Sequence, residues 1–364
     1  TATGQAAPAT GGPDETAGRG AADNGFGAPD RETDARPDEW SWTGETGPAG
    51  EPDPTTDAAP AERRIDTAAD ALRIRDEAAE TTIHVATDIY ELEISSLGGR
   101  VTSWRGLEHP SHEGGPIELI PEQIPAYGQD ALVFRHEMLD LGSVVYSVDG
   151  PSRLEVVGEG ETRSLTLRAV TEGGLEIRKI FTFTAQSYGI TVDFVLGMVD
   201  RDRGRRALDL AGEPEDFRFS WNQGIAPTER VQSMELPSLR AVAAVGDEFH
   251  EKKRKDLEKS VEKAEGQYRG SVKYAGLQTR YFAVYGIVPD DQGEAVEGVI
   301  RLGGDPQTLS QSWEIEVPAK RTMGSDLATS RLEIFIGPLQ EDLLAAYGRS
   351  VEDSIDLGFS WIRP

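Results

Sequence analysis

The chain has 364 residues, 37% hydrophobic and 28% charged, enough for one large domain or two ordinary ones with a proper core. Its formal net charge of −27 repels phosphate and argues against DNA, RNA or anionic lipid as a broad partner, while leaving room for a small local basic patch. With no cysteine, disulfides and thiolate metal sites are excluded, which suits the periplasm and the cytosol alike.

Residues 1–75 read as a disordered, acidic, Gly/Pro-rich tether. The first 70 carry 15 acidic and 5 basic residues with almost no aliphatics, so burial cannot offset the entropy of ordering. Order is expected from near Thr81, and residues 76–337 read as one folded domain. Tyr90-Glu91-Leu92-Glu93-Ile94 alternates apolar and polar, and Gly98-Gly99 turns the chain into Val101-Thr102-Ser103-Trp104. Leu165 to Leu167 leads through Gly173-Gly174 into Leu175 to Ile177, a second hairpin. Phe181 and Phe183 follow, then Ile190, Val192, Phe194 and Leu196 at period two. Further strands are expected at Tyr281 to Val288, Val299 to Leu302, Trp313 to Val317 and Leu332 to Ile336. Short alternating runs broken by Gly, Pro and Asp predict an all-β, antiparallel sandwich.

Two segments break that rhythm. Glu251 to Glu265 holds five of the eight lysines, with Leu257 and Val261 on one narrow side and Glu251 and Lys255 at helical spacing. It reads as an exposed helix or a charged loop. Residues 338–364 begin at Pro338 with Leu339, Leu343, Leu344, Tyr347 and Val351 on one helical face, and Glu341 and Asp342 where the helix dipole favours negative charge. The chain then closes on Ile355-Asp356-Leu357-Gly358-Phe359-Ser360-Trp361-Ile362-Arg363-Pro364. Aromatic and basic residues in that order suit the approach to a membrane interface. No run of roughly 20 apolar residues follows or precedes it. The expectation is a soluble piece of a longer, membrane-anchored protein.

Catalytic chemistry is not visible. His109 and His112, with Glu108 and Glu113 nearby, read as surface loop residues, and His136 reads as a polar strand end. Asp200-Arg201-Asp202-Arg203-Gly204 and Asp290-Asp291-Gln292-Gly293-Glu294 fall short of a calcium-loop ligand series and read as turns. Phosphate-loop, Gly-x-Ser-x-Gly and dinucleotide fingerprints do not occur. No cofactor and no metal site are expected.

Several segments in order resemble the large periplasmic domain of the YidC membrane-protein insertase family. They are Val85 to Tyr90 with Ile94 to Val101, Ile177 to Phe183 with Tyr188 to Val192, and Trp221-Asn222-Gln223-Gly224-Ile225. The most specific is Tyr274-Ala275-Gly276-Leu277-Gln278-Thr279-Arg280-Tyr281-Phe282-Ala283, followed by Ile336-Gly337-Pro338 and the closing Ile355 to Pro364. Tyr274 departs from the Trp the family often has there, and either ring can fill a core.

The resemblance implies a galactose-mutarotase-like antiparallel super-sandwich on the periplasmic side of the bacterial inner membrane, within a multi-pass protein. It implies an auxiliary, non-enzymatic interaction module whose C-terminal helix, roughly Pro338 to Ile355, couples it to membrane helices. Implied partners are the Sec translocon, the SecDF accessory complex and nascent membrane proteins, with no nucleic acid. Partner contact is expected from Leu343, Leu344 and Tyr347, from the tail residues Leu357, Phe359 and Trp361, and from Lys252, Lys253 and Lys255. The competing expectation is a mutarotase-like sugar epimerase using His136 or His84 with a Glu, or a cleft that binds glycan or extended peptide without turnover.

Overall fold

The structure, a computed structural model, describes residues 64–355 apart from 76–77, 123–129, 261–262, 264, 291–292, 306–309 and 323–325. Most of the tether, and the tail residues Leu357, Phe359 and Trp361, therefore lie outside the described residues.

The alternating runs become strands, as period-two burial requires. Leu175–Thr184 alternates buried and half-buried along its whole length, and pairs antiparallel with Thr162–Val170 on one side and Gly189–Met198 on the other. A five-stranded sheet runs Pro116–Glu118, Arg100–Pro110, Tyr90–Ser95, Thr82–Thr87, Arg153–Val156, with only its last pair parallel.

The other strands form one long antiparallel sheet with two layers. The first contains Met138–Asp140, Ala131–Phe134, Pro214–Trp221, Ser310–Pro318 and Glu297–Asp305. The second contains Phe282–Ile287, Asp326–Pro338, Gly189–Met198, Leu175–Thr184, Thr162–Val170 and Ser147–Asp149. Strand Gly266–Gln278 belongs to both: Gly266 to Ser271 pair with Glu297–Asp305, while Tyr274 to Gln278 pair with Phe282–Ile287.

Rings fill the space between layers. Phe194 meets Phe217 and Phe219 at 5.9 and 5.0 Å, and Gly286 lies against the Trp313 ring, where any added methyl would come within 2.5 Å. Trp104 of the smaller sheet stacks on Tyr90 at 5.5 Å and tilts against Tyr188 at 6.1 Å, joining that sheet to the larger one. Each fully buried ring removes on the order of 150–250 Å² from water, roughly 4–6 kcal/mol before ordering costs.

Three expectations need correction. Order begins before Thr81: helix Ala68–Leu72, capped by the Thr67 side chain, buries Ala71 and Leu72, and Ile74 bridges to Thr171. Asp200 to Gly204 is not a turn between strands but opens helix Arg201–Ala211, with the Asp200 carboxylate accepting from the backbone N–H of Asp202 and Arg203 at 3.0 Å each. The terminal run is not one helix from Pro338 to Ile355. It is helix Glu341–Ala345, then a break, then a 3-10 turn at Glu352–Ser354.

Candidate interaction site at the C-terminal exit

The break has a visible cause. Gly348, Arg349 and Ser350 carry φ of 63°, 62° and 57°, three successive residues in the left-handed region. Glycine adopts it freely, but a residue with a Cβ loses roughly 1–2 kcal/mol there. Tertiary contacts hold the strained pair in place. The Arg349 guanidinium bonds the Asp290 carboxylate and, at 2.9 Å, the Val272 carbonyl, while the Tyr274 hydroxyl donates to the Ser350 carbonyl at 3.4 Å. Leu344 and Val351, on either side of the turn, are fully buried. Tyr347 sets its edge on Phe335 at 5.6 Å, and Phe335 in turn meets Tyr285 and Tyr188.

Just past the turn, Ser354 closes a buried polar network. Its hydroxyl lies 2.5 Å from the Tyr285 hydroxyl and accepts from the Gln278 amide at 2.8 Å, and Gln278 also donates to Tyr285. The Ser354 carbonyl accepts from Arg240 at 3.0 Å, and Arg240 also donates to the Gln278 oxygen at 2.6 Å. Glu251 lies 3.5 Å from both Arg240 and Lys253, carrying the network to the surface. Burial pushes the Tyr285 phenol up to about 12, with the Ser354 and Gln278 hydrogen bonds pulling the other way, so it stays a neutral donor across the physiological range. Tyr347 is likewise pushed up to about 12, first by burial. Four side chains separated by up to 114 positions thus clamp the last described turn onto the outer face of the sheet.

The structure brings some of the expected contact residues to this place and withdraws others. Leu344 is fully buried and is unavailable to a partner; the helix face that contains it turns inward. Leu343 and Tyr347 are half-buried against the core. Lys252 and Lys253 end strand Glu248–Lys253, and Lys255 lies exposed in helix Arg254–Lys259, so the segment is part strand and part helix. Glu251 therefore pairs with Lys253 and Arg240 rather than with Lys255 at helical spacing. Lys253, Arg240, Arg280, Leu339 and Ile355 line one groove. Sequence reading missed Arg240, Tyr285 and Ser354. Its only signal was the motif around Gln278, whose Thr279 side chain caps the turn at Tyr281 and Phe282.

The space between the layers offers the other possible site. A cavity of about 50 Å³ is lined by Phe181, Phe194, Trp313, Asn222, Lys179 and Asp130. Lys179 is buried and fully engaged: its ammonium sits 2.9 Å from Asp130 and 3.2 Å from the Gly98 carbonyl, and 5.0 Å from the Phe194 ring centroid. Asp130 also accepts from the Ser220 N–H at 2.8 Å. Such a volume takes one or two waters, against the roughly 300 Å³ or more of a small-molecule pocket. His84 pairs with Glu93 at 3.3 Å on the smaller sheet, and His136 is exposed beside Gly212; neither lines this cavity. Among the described residues no cluster of three His, Asp or Glu side chains could hold a metal. Nor is any described helix long and apolar enough to cross a membrane.

The family model for the YidC periplasmic domain matches residues 82–363. The chain belongs to the YidC periplasmic domain family. Similar proteins named membrane protein insertase YidC come from Chlorobium luteolum, 22% identical over 76% of this chain and 45% of the relative, and Chlorobaculum parvum, 23% identical over 84% and 50%. A third, from Pseudoalteromonas atlantica, is 26% identical over 77% of this chain and 48% of its own length. The chain thus spans about half the length of these relatives. Among solved structures, it is similar to a galactose mutarotase related enzyme from Lactobacillus acidophilus (TM-score 0.40, 9% identity, 70% of this chain and 97% of that one). A galactose mutarotase-like protein from Lactobacillus casei gives a TM-score of 0.41 at 8% identity, covering 71% of this chain and 100% of that one.

Proposed function

We propose that the chain is the periplasmic domain of a membrane-protein insertase and acts as an interaction and scaffold module with no catalysis of its own. The observation that carries this reading is the clamp on Ser354. It fixes the direction in which the chain leaves the sandwich, as a domain that must hold its orientation to a neighbouring membrane segment requires. Family membership supports the insertase context. In this reading the domain lies on the periplasmic side of the inner membrane within a multi-pass protein. Its partners are the Sec translocon, the SecDF accessory complex and nascent membrane proteins.

Photocrosslinkers at Lys253 and Lys255, in the full-length protein in native membranes, test it. Adducts to Sec components are expected, and their complete absence would sink the partner assignment. The reading without catalysis draws support from His84 and His136, which are both exposed and neither of which lines the cavity between the layers. Acceleration of sugar anomerisation by the purified chain, abolished in His136→Ala, would overturn that reading.

A further inference from the structure

We propose that the apolar turn carrying Val231 and Met234, with Tyr281 beside it, is a shallow lipid contact through which the domain rests on the membrane surface. The inference relies on the insertase reading for its context and on the geometry of the turn for its content. Met234 is 64% exposed, the highest value among the large hydrophobic residues described, and Val231 and Tyr281 are 48% and 44% exposed.

These side chains are held out on a rigid base. The Glu235 carboxylate is fully buried and accepts from the Thr228 N–H at 2.6 Å, the Thr228 hydroxyl at 2.9 Å and the Glu229 N–H at 2.8 Å, and the Met234 N–H bonds the Val231 carbonyl at 2.9 Å. The Tyr281 hydroxyl donates to Glu229, which makes the turn and the Tyr281 hairpin one surface. Both carboxylates of the turn are thus engaged, while Arg230 and Arg280 are exposed, the latter 5.3 Å from the Tyr281 ring centroid. Aromatic and aliphatic side chains flanked by arginines are the composition of a membrane interface, where the rings sit at headgroup level and the guanidiniums reach phosphate.

A lipid surface is favoured over a protein for two reasons. Three protruding side chains fall far short of the roughly 800 Å² per partner of a stable protein interface. They suffice for a weak contact that tethering makes effective. The position also fits, because Ile355 and Arg280 line the same groove and the residues that follow Ile355 in sequence include Leu357, Phe359, Trp361 and Arg363. Glu341 and Asp342 are exposed on the adjoining helix, so apolar insertion rather than net positive charge drives the contact.

The absence of native cysteine makes a clean test. The full chain, carrying Met234→Cys labelled with an environment-sensitive fluorophore, is anchored through a C-terminal polyhistidine tag. The vesicles contain phosphatidylethanolamine, phosphatidylglycerol and a nickel-chelating lipid. Emission at position 234 is expected to shift blue and rise roughly two- to threefold, with quenching by shallow spin-labelled lipid. The same label at Val157, another exposed apolar residue, is expected to stay unchanged. Val231→Glu with Met234→Glu should lower partition of the untethered chain onto these vesicles by about tenfold or more, with circular dichroism unchanged. An unshifted label at 234 in the folded, anchored chain overturns the lipid contact. If Sec adducts still form from Lys253 and Lys255 in that case, the insertase reading stands without it. A responsive label with no adducts has the reverse meaning.

Discussion

Ser354 is the smallest member of the clamp and the one whose loss is easiest to read. Without its hydroxyl, Tyr285 and Gln278 keep their desolvation cost but lose a shared partner, worth about 1–3 kcal/mol. Ser354→Ala should lower the free energy of unfolding by that amount, read as a lower urea midpoint with an unchanged m-value. Glu333 gives a pH test. Burial raises its carboxyl above the ordinary 4.5, with Arg331 pulling the other way. Below 4.5 the group is neutral in folded and unfolded chains alike. As pH climbs from there through the raised folded-state value, the unfolded chain releases its proton first, and native stability falls. Glu333→Gln should therefore gain on the wild type as pH is raised from below 4.5 to neutral, read as the difference in unfolding midpoints. Little at this scale was legible in sequence. Alternation along Leu175–Thr184 puts Lys179 on the inward face, yet Asp130, 49 positions away, carries no mark that it answers that charge.

At the scale of elements, strands were readable and helices only in part: the start of helix Glu341–Ala345 and the helical stretch Arg254–Lys259 showed in the sequence, helix Arg201–Ala211 did not. Period-two runs such as Leu175 to Thr184 and Tyr90 to Ser95 declare themselves because one face is buried, and the pairings place Leu92 opposite Trp104 and Ile177 opposite Leu196 as the turns imply. Helix Arg201–Ala211 was hidden by its charges and by Gly204, which faces Met198 so closely that a Cβ would approach its sulfur to 2.4 Å. The terminal run kept a helical pattern on paper because the left-handed φ of Gly348, Arg349 and Ser350 leaves no mark in the apolar spacing of Leu344, Tyr347 and Val351. That strain can be tested directly. Ser350 contributes only its carbonyl among the hydrogen bonds described, so Ser350→Gly should be neutral or stabilising by up to about 1 kcal/mol. Ser350→Val, β-branched at φ of 57°, should cost about 1–2 kcal/mol more than the glycine variant in thermal unfolding.

For the whole molecule, the deciding feature is that the layers share a strand. Because Gly266–Gln278 pairs into both, neither layer can open alone without breaking the other's hydrogen bonds. The part of the chain after Thr81 should therefore unfold in one transition, with far-ultraviolet dichroism and tryptophan fluorescence coinciding. Two separate midpoints would contradict the shared-strand architecture. The fold class followed from the strand rhythm, and the family from an ordered set of short motifs. The exit clamp stayed invisible because it is built from residues that meet only after the sheet has formed.

The position of strand Asp326–Pro338 bears on when that can happen. It lies between Gly189–Met198 and Phe282–Ile287, so two neighbours wait for a third that is synthesised last. As ribosomes deliver the chain from its amino end, the second layer stays open until about Pro338 has emerged, and the clamp cannot engage until Ser354 follows. Most of the domain must therefore be synthesised before its second layer can be complete, whereas every strand of the first layer has emerged by Pro318, and long-range pairing of this kind closes late. During that interval the unpaired edges of Gly189–Met198 and Phe282–Ile287 stand exposed, and whatever receives the nascent chain must shield them.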